Sequence, residues 1–371
     1  MRIGVPKEVK VLENRVGLTP ASVRELVTHG HAVAVEHNAG AGIGLGDDAY
    51  TAAGATIAAN AGAVFAGAEM IVKVKEPQPE ECKRLQPGQI LFTYLHLAPD
   101  AEQARALIAS GAVCIAYETV TSPHGGLPLL APMSEVAGRM SVQAGAYWLE
   151  KPQGGKGILL GGVPGVAPGK VVILGGGVVG THAAMIALGM GADVTVLDRS
   201  PDAMRALWKQ FGAPLKTEFS TRDTVERHVT RADLVIGGVL IPGASAPKLV
   251  TAAMIRAMQP GSVVVDVAID QGGCFETSHP TTHADPTYVV DGVIHYCVAN
   301  MPGGVPRTST FALNNATLPY AVALANKGWK RALTDDPYLR AGLNVALGQV
   351  TCRPVAEALG YKYVDPMAVV S

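Results

Sequence analysis

Short apolar runs alternate with stretches of helical character along most of the chain. Strands are predicted at 3–5, 32–36, 68–74, 90–95, 113–117, 171–174, 194–197, 234–236 and 263–267. Helices are predicted at 19–29, 49–54, 101–110, 134–151, 181–189, 316–325 and 344–359. Because strands that alternate with helices pair in parallel, this pattern predicts an α/β protein built on doubly wound sheets.

The strand at 171–174 runs into Gly175-Gly176-Gly177-Val178-Val179-Gly180, then a helix and a second strand that ends in Asp198. This order is typical of a dinucleotide-binding unit, in which Gly175 permits the turn, Gly177 admits a pyrophosphate and Gly180 lets the helix pack closely. A carboxylate at Asp198 is placed to accept hydrogen bonds from the adenosine ribose and repels a 2′-phosphate. The sequence therefore favours NAD over NADP, although the neighbouring Arg199 weakens that preference.

The chain returns to helices after its second series of strands, which favours one domain inserted in another. We predict two Rossmann-like doubly wound domains with a substrate cleft between them. Residues 1–128 and 307–371 would form the substrate (catalytic) domain, and residues 129–306 the inserted NAD-binding domain.

Composition and charge narrow the class of protein. The 371 residues suffice for two domains, and a net charge of −1 gives no electrostatic basis for binding nucleic acid or an anionic membrane. We find no apolar run long enough to span a bilayer and no signal peptide. Five scattered cysteines without a CxxC pair indicate reduced thiols, so we expect a cytoplasmic protein. We expect its partners to be small-molecule substrates, with no nucleic acid and no membrane.

Two histidines, His279 and His283, have the spacing of a metal-binding pair. Pro280 between them and the lack of a third ligand nearby favour a loop instead. We therefore expect no metal site.

Four polar residues follow predicted strands, at the carboxyl ends where α/β enzymes place their chemistry: Arg15, Lys75, His96 and Asp270. An arginine and a lysine suit a small carboxylate substrate. A histidine and an aspartate suit proton transfer. Taken singly, each also fits a structural role, as a solvated cation or as a residue that shapes a loop.

Several sequence blocks resemble the alanine dehydrogenase family, which also includes the NAD(H)-binding part of the proton-translocating transhydrogenases. The blocks are GVPKE at 4–8, ENRV at 13–16, VKVKEP at 72–77, YLHLA at 94–98, VDVAIDQGG at 265–273 and VANMPG at 298–303. They span essentially the whole chain in the family's order.

This resemblance implies NAD-dependent interconversion of L-alanine with pyruvate and ammonia, by hydride transfer to nicotinamide C4, in a homohexamer. It implies that Arg15 and Lys75 hold the substrate and that His96 and Asp270 act as acid/base groups. The cofactor contacts it implies are Ser134, Gly175, Gly177, Val178, Val179, Gly180, Asp198, Ser220, Val239, Leu240, Asn300 and Met301.

Other functions remain open at this point. The same scaffold serves a dehydrogenase of glycine or serine, a transhydrogenase subunit, or an NAD-sensing protein without catalysis. We expect Tyr94, Met133 and Met301 to limit the size of the substrate side chain.

Overall fold

A computed structural model describes residues 1–239 and 246–370. The chain forms two compact units: unit 1 comprises Met1–Met133 and Val305–Ser371, and unit 2 comprises Ser134–Gly304. The described strands are β1 (Arg2–Val5), β2 (Ala32–Glu36), β3 (Thr56–Ala58), β4 (Met70–Val72), β5 (Ile90–Thr93), β6 (Val113–Ala116), β7 (Lys170–Leu174), β8 (Asp193–Asp198), β9 (Lys216–Phe219), β10 (Leu234–Gly237), β11 (Val263–Asp266), β12 (Thr287–Val290), β13 (Val293–Tyr296), β14 (Leu343–Ala346) and β15 (Gln349–Val350). The described α-helices are α1 (Pro20–Thr28), α2 (Asp47–Ala52), α3 (Ala61–Gly67), α4 (Pro79–Cys82), α5 (Ala101–Ser110), α6 (Ala131–Trp148), α7 (Val178–Gly189), α8 (Pro201–Phe211), α9 (Arg222–Val229), α10 (Ala252–Ala257), α11 (Pro306–Lys327), α12 (Trp329–Asp335), α13 (Pro337–Arg340), α14 (Arg353–Leu359) and α15 (Pro366–Val370).

Unit 1 is built on a sheet in the order β15-β14-β6-β5-β4-β1-β2-β3. The strands from β6 to β3 pair in parallel, whereas β14 pairs antiparallel with β6 and β15 antiparallel with β14. Parallel pairing brings the carboxyl ends of β1, β4 and β5 to one edge of the sheet. The loops that carry Arg15, Lys75 and His96 leave the sheet from that edge.

Unit 2 is built on a sheet in the order β12-β13-β11-β10-β7-β8-β9, parallel throughout except for the antiparallel edge strand β12. Alternate residues of β7 pack into two separate cores. Val171 and Ile173 belong to the cluster on one face, and Val172 and Leu174 to the cluster on the other. A strand buried on both faces has no polar side to present, which explains the continuous apolar run in the sequence.

The predicted helix at 344–359 is wrong over its first half. Leu343–Ala346 and Gln349–Val350 form the hairpin β14–β15, and only Arg353–Leu359 is helical. The hairpin turns through Leu347 and Gly348, whose φ angles of 51° and 83° are incompatible with a right-handed helix. Pairing with β6 then fixes β14 as a strand.

The two longest described helices are α6, with 18 residues, and α11, with 22. Across residues 1–239 and 246–370, none of the helices combines the length and the apolar character needed to cross a membrane.

Candidate active site

Arg15 is a buried cation held by a neighbouring carboxylate. Its Nε donates to Glu13 Oε1 over 2.7 Å and its Nη2 to Glu13 Oε2 over 2.5 Å, while its Nη1 lies 3.2 Å from Met133 Sδ. Only 2% of Arg15 is exposed. Burial works against the charged form, but the hydrogen bonds and charge of Glu13 outweigh it and raise the pKa of Arg15. The guanidinium is therefore permanently charged and fixed in direction.

Lys75 lies three residues beyond the end of β4, and its backbone is held on two sides. Its carbonyl oxygen accepts a hydrogen bond from Thr93 Oγ1 over 2.9 Å, and its N–H lies 3.4 Å from Glu8 Oε1. The strand ends at Val72, earlier than the predicted end at residue 74, and side chains, not a neighbouring strand, satisfy the backbone of Lys75.

His96 has a left-handed backbone with φ of 49°, stabilised by Glu118. Glu118 accepts the N–H of His96 over 2.6 Å and that of Leu95 over 3.2 Å, and its Oε1 lies 3.9 Å from His96 Nδ1. The imidazole stacks on the ring of Tyr94 with centroids 5.7 Å apart. Nearly half of the His96 side chain, 45%, remains exposed. Contacts with Glu118 and Tyr94 thus orient the imidazole ring, while nearly half of the side chain remains accessible.

In unit 2 the glycine loop between β7 and α7 has the geometry of a phosphate cradle. Gly175 has φ of 98°, and a Cβ on Gly180 would lie 1.8 Å from the carbonyl oxygen of Gly175. A Cβ on Gly177 would meet nothing within 4 Å, so the space in front of the loop is open. No described side chain caps the first turn of α7. The helix therefore presents free N–H donors and the positive end of its dipole to an anion.

Asp198 lies beside this loop at the end of β8. Its Oδ2 accepts the N–H of Gly176 over 2.5 Å and its Oδ1 that of Ser200 over 2.6 Å. Its carbonyl oxygen accepts the N–H of Ser220, which follows β9. Val239, after β10, lies against Gly175, with 3.1 Å between its Cγ2 and a Cβ built on that glycine. The structure thus gathers these residues at the carboxyl edge of the unit 2 sheet, while Leu240 lies outside the described residues.

Asp270 is exposed, in a 3₁₀ turn formed by Ile269–Gln271 after β11. The segment that follows is anchored by Asp266, whose Oδ2 accepts the N–H of Cys274 over 2.9 Å and that of Phe275 over 3.4 Å. The turn that carries Asp270 is therefore held between the end of β11 and the N–H groups of Cys274 and Phe275.

The remaining predicted contacts are Ser134, Asn300 and Met301, all in unit 2. Ser134 is in the first turn of α6. Asn300 has φ of 73°, its carbonyl oxygen accepts a hydrogen bond from His283 Nε2 over 3.0 Å, and a Cβ on Gly303 would lie 2.6 Å from its Nδ2. Met301 is 3% exposed and belongs to the hydrophobic core.

The two predicted loop histidines each contact another residue. His283 bonds Asn300 as described, and His279 stacks on Tyr288 with ring centroids 3.7 Å apart. The described part of the chain has no group of three or more histidine, cysteine, aspartate or glutamate residues arranged to bind a metal ion.

Comparison with known proteins identifies the family. The model of the "Alanine dehydrogenase/PNT, N-terminal domain" matches residues 4–137, and that of the "Alanine dehydrogenase/PNT, C-terminal domain" matches residues 141–353. The chain belongs to the alanine dehydrogenase/PNT family. The resemblance stated from the sequence blocks is confirmed, as is the α/β fold with two doubly wound sheets.

Several members of this family are similar over their full length. The alanine dehydrogenase of Halomonas elongata is 61% identical over 100% of both chains, and that of Bacillus subtilis is 58% identical over 98% of this chain and 96% of its own. A solved L-alanine dehydrogenase superposes with a TM-score of 0.94 at 54% identity, covering 97% of this chain and 99% of its own. A transhydrogenase from Sinorhizobium meliloti superposes with 0.81 at 25% identity, covering 95% and 99%.

Three buried or half-buried carboxylates were not assigned by the sequence reading: Glu8, Glu13 and Glu118. Glu8 and Glu13 lie inside the first two family blocks, and that position could have marked them as candidate site residues. Glu118 lies two residues after β6, and an acid just after a fully buried strand is the feature that would have singled it out.

Proposed function

We propose that this protein catalyses the NAD-dependent oxidative deamination of L-alanine to pyruvate and ammonia, and the reverse reductive amination. The observation that carries the proposal is the full-length similarity, at 58% and 61% identity, to two proteins named alanine dehydrogenase. The transhydrogenase is much less similar in sequence, at 25% identity, so we place that function second.

The residues of unit 2 fit an NAD cofactor. The cradle from Gly175 to Gly180 has room for a diphosphate in front of Gly177, and Asp198 at the end of the next strand suits the ribose hydroxyls. We propose these contacts together with Ser134, Val178, Val179, Ser220, Val239, Leu240, Asn300 and Met301. When bound, NAD supplies the hydride acceptor at nicotinamide C4.

In unit 1, Arg15 and Lys75 have different electrostatic roles. Glu13 already offsets the charge of Arg15, so Arg15 offers a substrate carboxylate directed N–H donors more than net charge. We propose that Lys75 supplies the point charge for the carboxylate and carbonyl region of the substrate. Met133, whose sulfur lies against Arg15, then limits the room left for the substrate side chain.

His96 and Asp270 carry the proton transfers in this proposal. The substrate amine must lose a proton before its lone pair can assist hydride loss from Cα. A water molecule must then lose a proton as it adds to the resulting iminium carbon. The carbinolamine so formed collapses when its amino group gains a proton and leaves as ammonia, while its hydroxyl group loses a proton to give the ketone of pyruvate. Both side chains are exposed enough to exchange protons with substrate, and both are mounted on anchored turns.

The reaction is tested with the purified full chain, L-alanine and NAD at alkaline pH, following the absorbance of NADH. Glycine, L-serine and 2-aminobutyrate serve as competing substrates. Preferred turnover of L-alanine supports the proposal, and preferred turnover of another amino acid reassigns the substrate. Tight NADH binding without turnover of any of these amino acids favours the alternative function, that of a transhydrogenase subunit.

Replacement of Asp198 by asparagine is expected to weaken the preference for NADH over NADPH about tenfold, or roughly 1.4 kcal/mol. The variant removes the negative charge that repels a 2′-phosphate beside the cradle. The ratio of kcat/KM for the two cofactors measures the change. Asp202→Asn is the matched control, because Asp202 is an exposed acid that pairs with Arg205 on α8. An equal change in both variants would indicate a general surface-charge effect.

Replacement of Glu118 by alanine is expected to lower kcat about tenfold or more, with NADH binding unchanged. The reason is that the N–H groups of Leu95 and His96 lose their common acceptor and the imidazole loses its fixed direction. Glu118→Gln keeps an acceptor oxygen and should retain most of the activity. Equal losses in the two variants would show that orientation of His96 is not the role of Glu118.

We further propose a cytoplasmic homohexamer. The family resemblance supports the assembly, and five free cysteines in the described residues support a reducing compartment. Light scattering on the purified protein measures the number of copies directly.

A further inference from the structure

A buried cluster of charges in unit 1 has no part in the mechanism above. Lys73 Nζ lies 3.1 Å from Glu8 Oε2 and 2.7 Å from Glu81 Oε1. The three side chains are 0%, 2% and 5% exposed. With all three ionised the cluster carries one net negative charge, and Lys73 lies two residues before Lys75 in the chain.

The two carboxylates of this cluster make different backbone contacts. Glu8 Oε1 accepts the N–H of Val74 over 2.7 Å and lies 3.4 Å from that of Lys75. Glu81 Oε2 instead accepts the N–H of Gln78 over 2.9 Å. Of the two, Glu8 is therefore the one that contacts the backbone from which the Lys75 side chain projects.

The cluster is expensive to bury, which argues against a purely stabilising role. Burial raises the pKa of Glu8 even though Lys73 and the Val74 N–H oppose that change. Burial also opposes the charge of Lys73, but Glu8 and Glu81 outweigh it and raise the pKa of Lys73. A protein with apolar side chains in place of a buried ion cluster is often equally stable. The charged side chains here are therefore better explained by the directed hydrogen bonds that they make to the backbone.

We propose that Glu8 is a positioning residue for Lys75. Glu8 accepts the N–H groups of residues 74 and 75, while Thr93 donates to the carbonyl of Lys75. Lys73, which also bonds Glu81, holds Glu8 in turn. The peptides before and after Lys75 are thus each held by a side chain, and the Lys75 side chain starts from a defined Cα position. This inference rests on the proposed function, in which Lys75 binds the carboxylate and carbonyl region of the substrate.

Glu8→Ala and Glu81→Ala form a matched pair, because each removes one buried carboxylate from Lys73. We expect Glu8→Ala to raise KM for pyruvate about tenfold, with kcat within about threefold and the Kd of NADH unchanged. Glu81→Ala should lower Tm about as much as Glu8→Ala does, but leave KM for pyruvate within about twofold of the wild-type value. Equal increases of KM in both variants would overturn the proposal, since they would reflect a shared loss of stability.

Glu8→Gln tests the same point in a variant that retains an acceptor for the two N–H groups. Its KM for pyruvate should return close to the wild-type value. A KM as high as that of Glu8→Ala would show that the charge of Glu8, and not its hydrogen bonds to the backbone, determines the KM for pyruvate. That result would contradict the positioning role.

A double-mutant cycle with Lys75→Ala tests whether Glu8 acts through Lys75. The Kd of pyruvate, measured by calorimetry in the presence of NADH, should rise on Glu8→Ala in the wild type and stay unchanged in the Lys75→Ala background. Additive effects would show that Glu8 acts by another route.

A failure of the proposed function gives a different pattern from a failure of the positioning role. If the wild type neither binds nor turns over pyruvate, the acetylation rate of Lys75 by acetic anhydride, measured by peptide mass spectrometry, becomes the readout. Positioning predicts a changed rate at Lys75 in Glu8→Ala and an unchanged rate in Glu81→Ala. Unchanged rates in both would overturn it.

Discussion

Replacement of His96 by alanine, or of Asp270 by asparagine, is expected to lower kcat for L-alanine deamination about 10³-fold and to leave NADH binding intact. Each variant removes the group to which we assign proton transfer. Neither change disturbs the fold, because nearly half of the His96 side chain is exposed and Asp270 lies on an exposed turn. Stopped-flow measurement of NADH formation, together with titration of NADH by fluorescence, separates the two effects.

The control for this experiment is a half-buried histidine away from the proposed chemistry. His31 lies 2.8 Å from Asn326 Oδ1, and His31→Ala should keep wild-type turnover. A loss below about tenfold in His96→Ala would remove the imidazole from the acid/base role. A loss of NADH affinity in Asp270→Asn would instead assign Asp270 to cofactor binding.

Replacement of Gly180 by alanine is expected to weaken NADH binding about 100-fold, roughly 3 kcal/mol, or to prevent folding of unit 2. The added Cβ would lie 1.8 Å from the carbonyl oxygen of Gly175, so the cradle or the start of α7 must move. Fluorescence titration of NADH measures the loss of affinity, and Tm in the absence of cofactor measures the loss of stability.

Gly189→Ala on the same helix is the matched control. A Cβ on Gly189 meets nothing within 4 Å, and alanine is the better helix former, so NADH affinity should be unchanged. Similar losses of affinity in the two variants would contradict a specific role for close packing at Gly180. Wild-type affinity in Gly180→Ala would show that the cradle does not bind the diphosphate.

The parts of the fold that depend on burial were predicted well. The predicted strand at 32–36 and the predicted helix at 101–110 agree with β2 and α5, because apolar period and flanking turn residues act locally. The short strand β3 and helix α3, together with the hairpin β14–β15, were missed. Each has too few residues for a period to be recognised, and the strands β3 and β14 are decided by pairing with β2 and β6.

The candidate site shows the same division. Arg15, Lys75, His96 and Asp270 were found because polar residues after apolar strands stand out in a linear pattern. Their proposed roles stay predictions until the variants are measured. Their partners were not found, because Glu118 is 22 residues from His96 and Glu8 is 66 residues from Val74 in the chain.

The sequence by itself therefore determined the α/β class, the family and the glycine cradle, since each depends on residues that are near one another in the chain or on blocks in a fixed order. Glu13 is only two residues from Arg15 in the chain, but tertiary structure alone decided that Glu118 contacts the backbone of His96 and that Glu8 contacts the backbone of Lys75. The physical reason is that a buried charge must find its partner wherever the fold places one, and sheet pairing brings together segments that no local pattern connects.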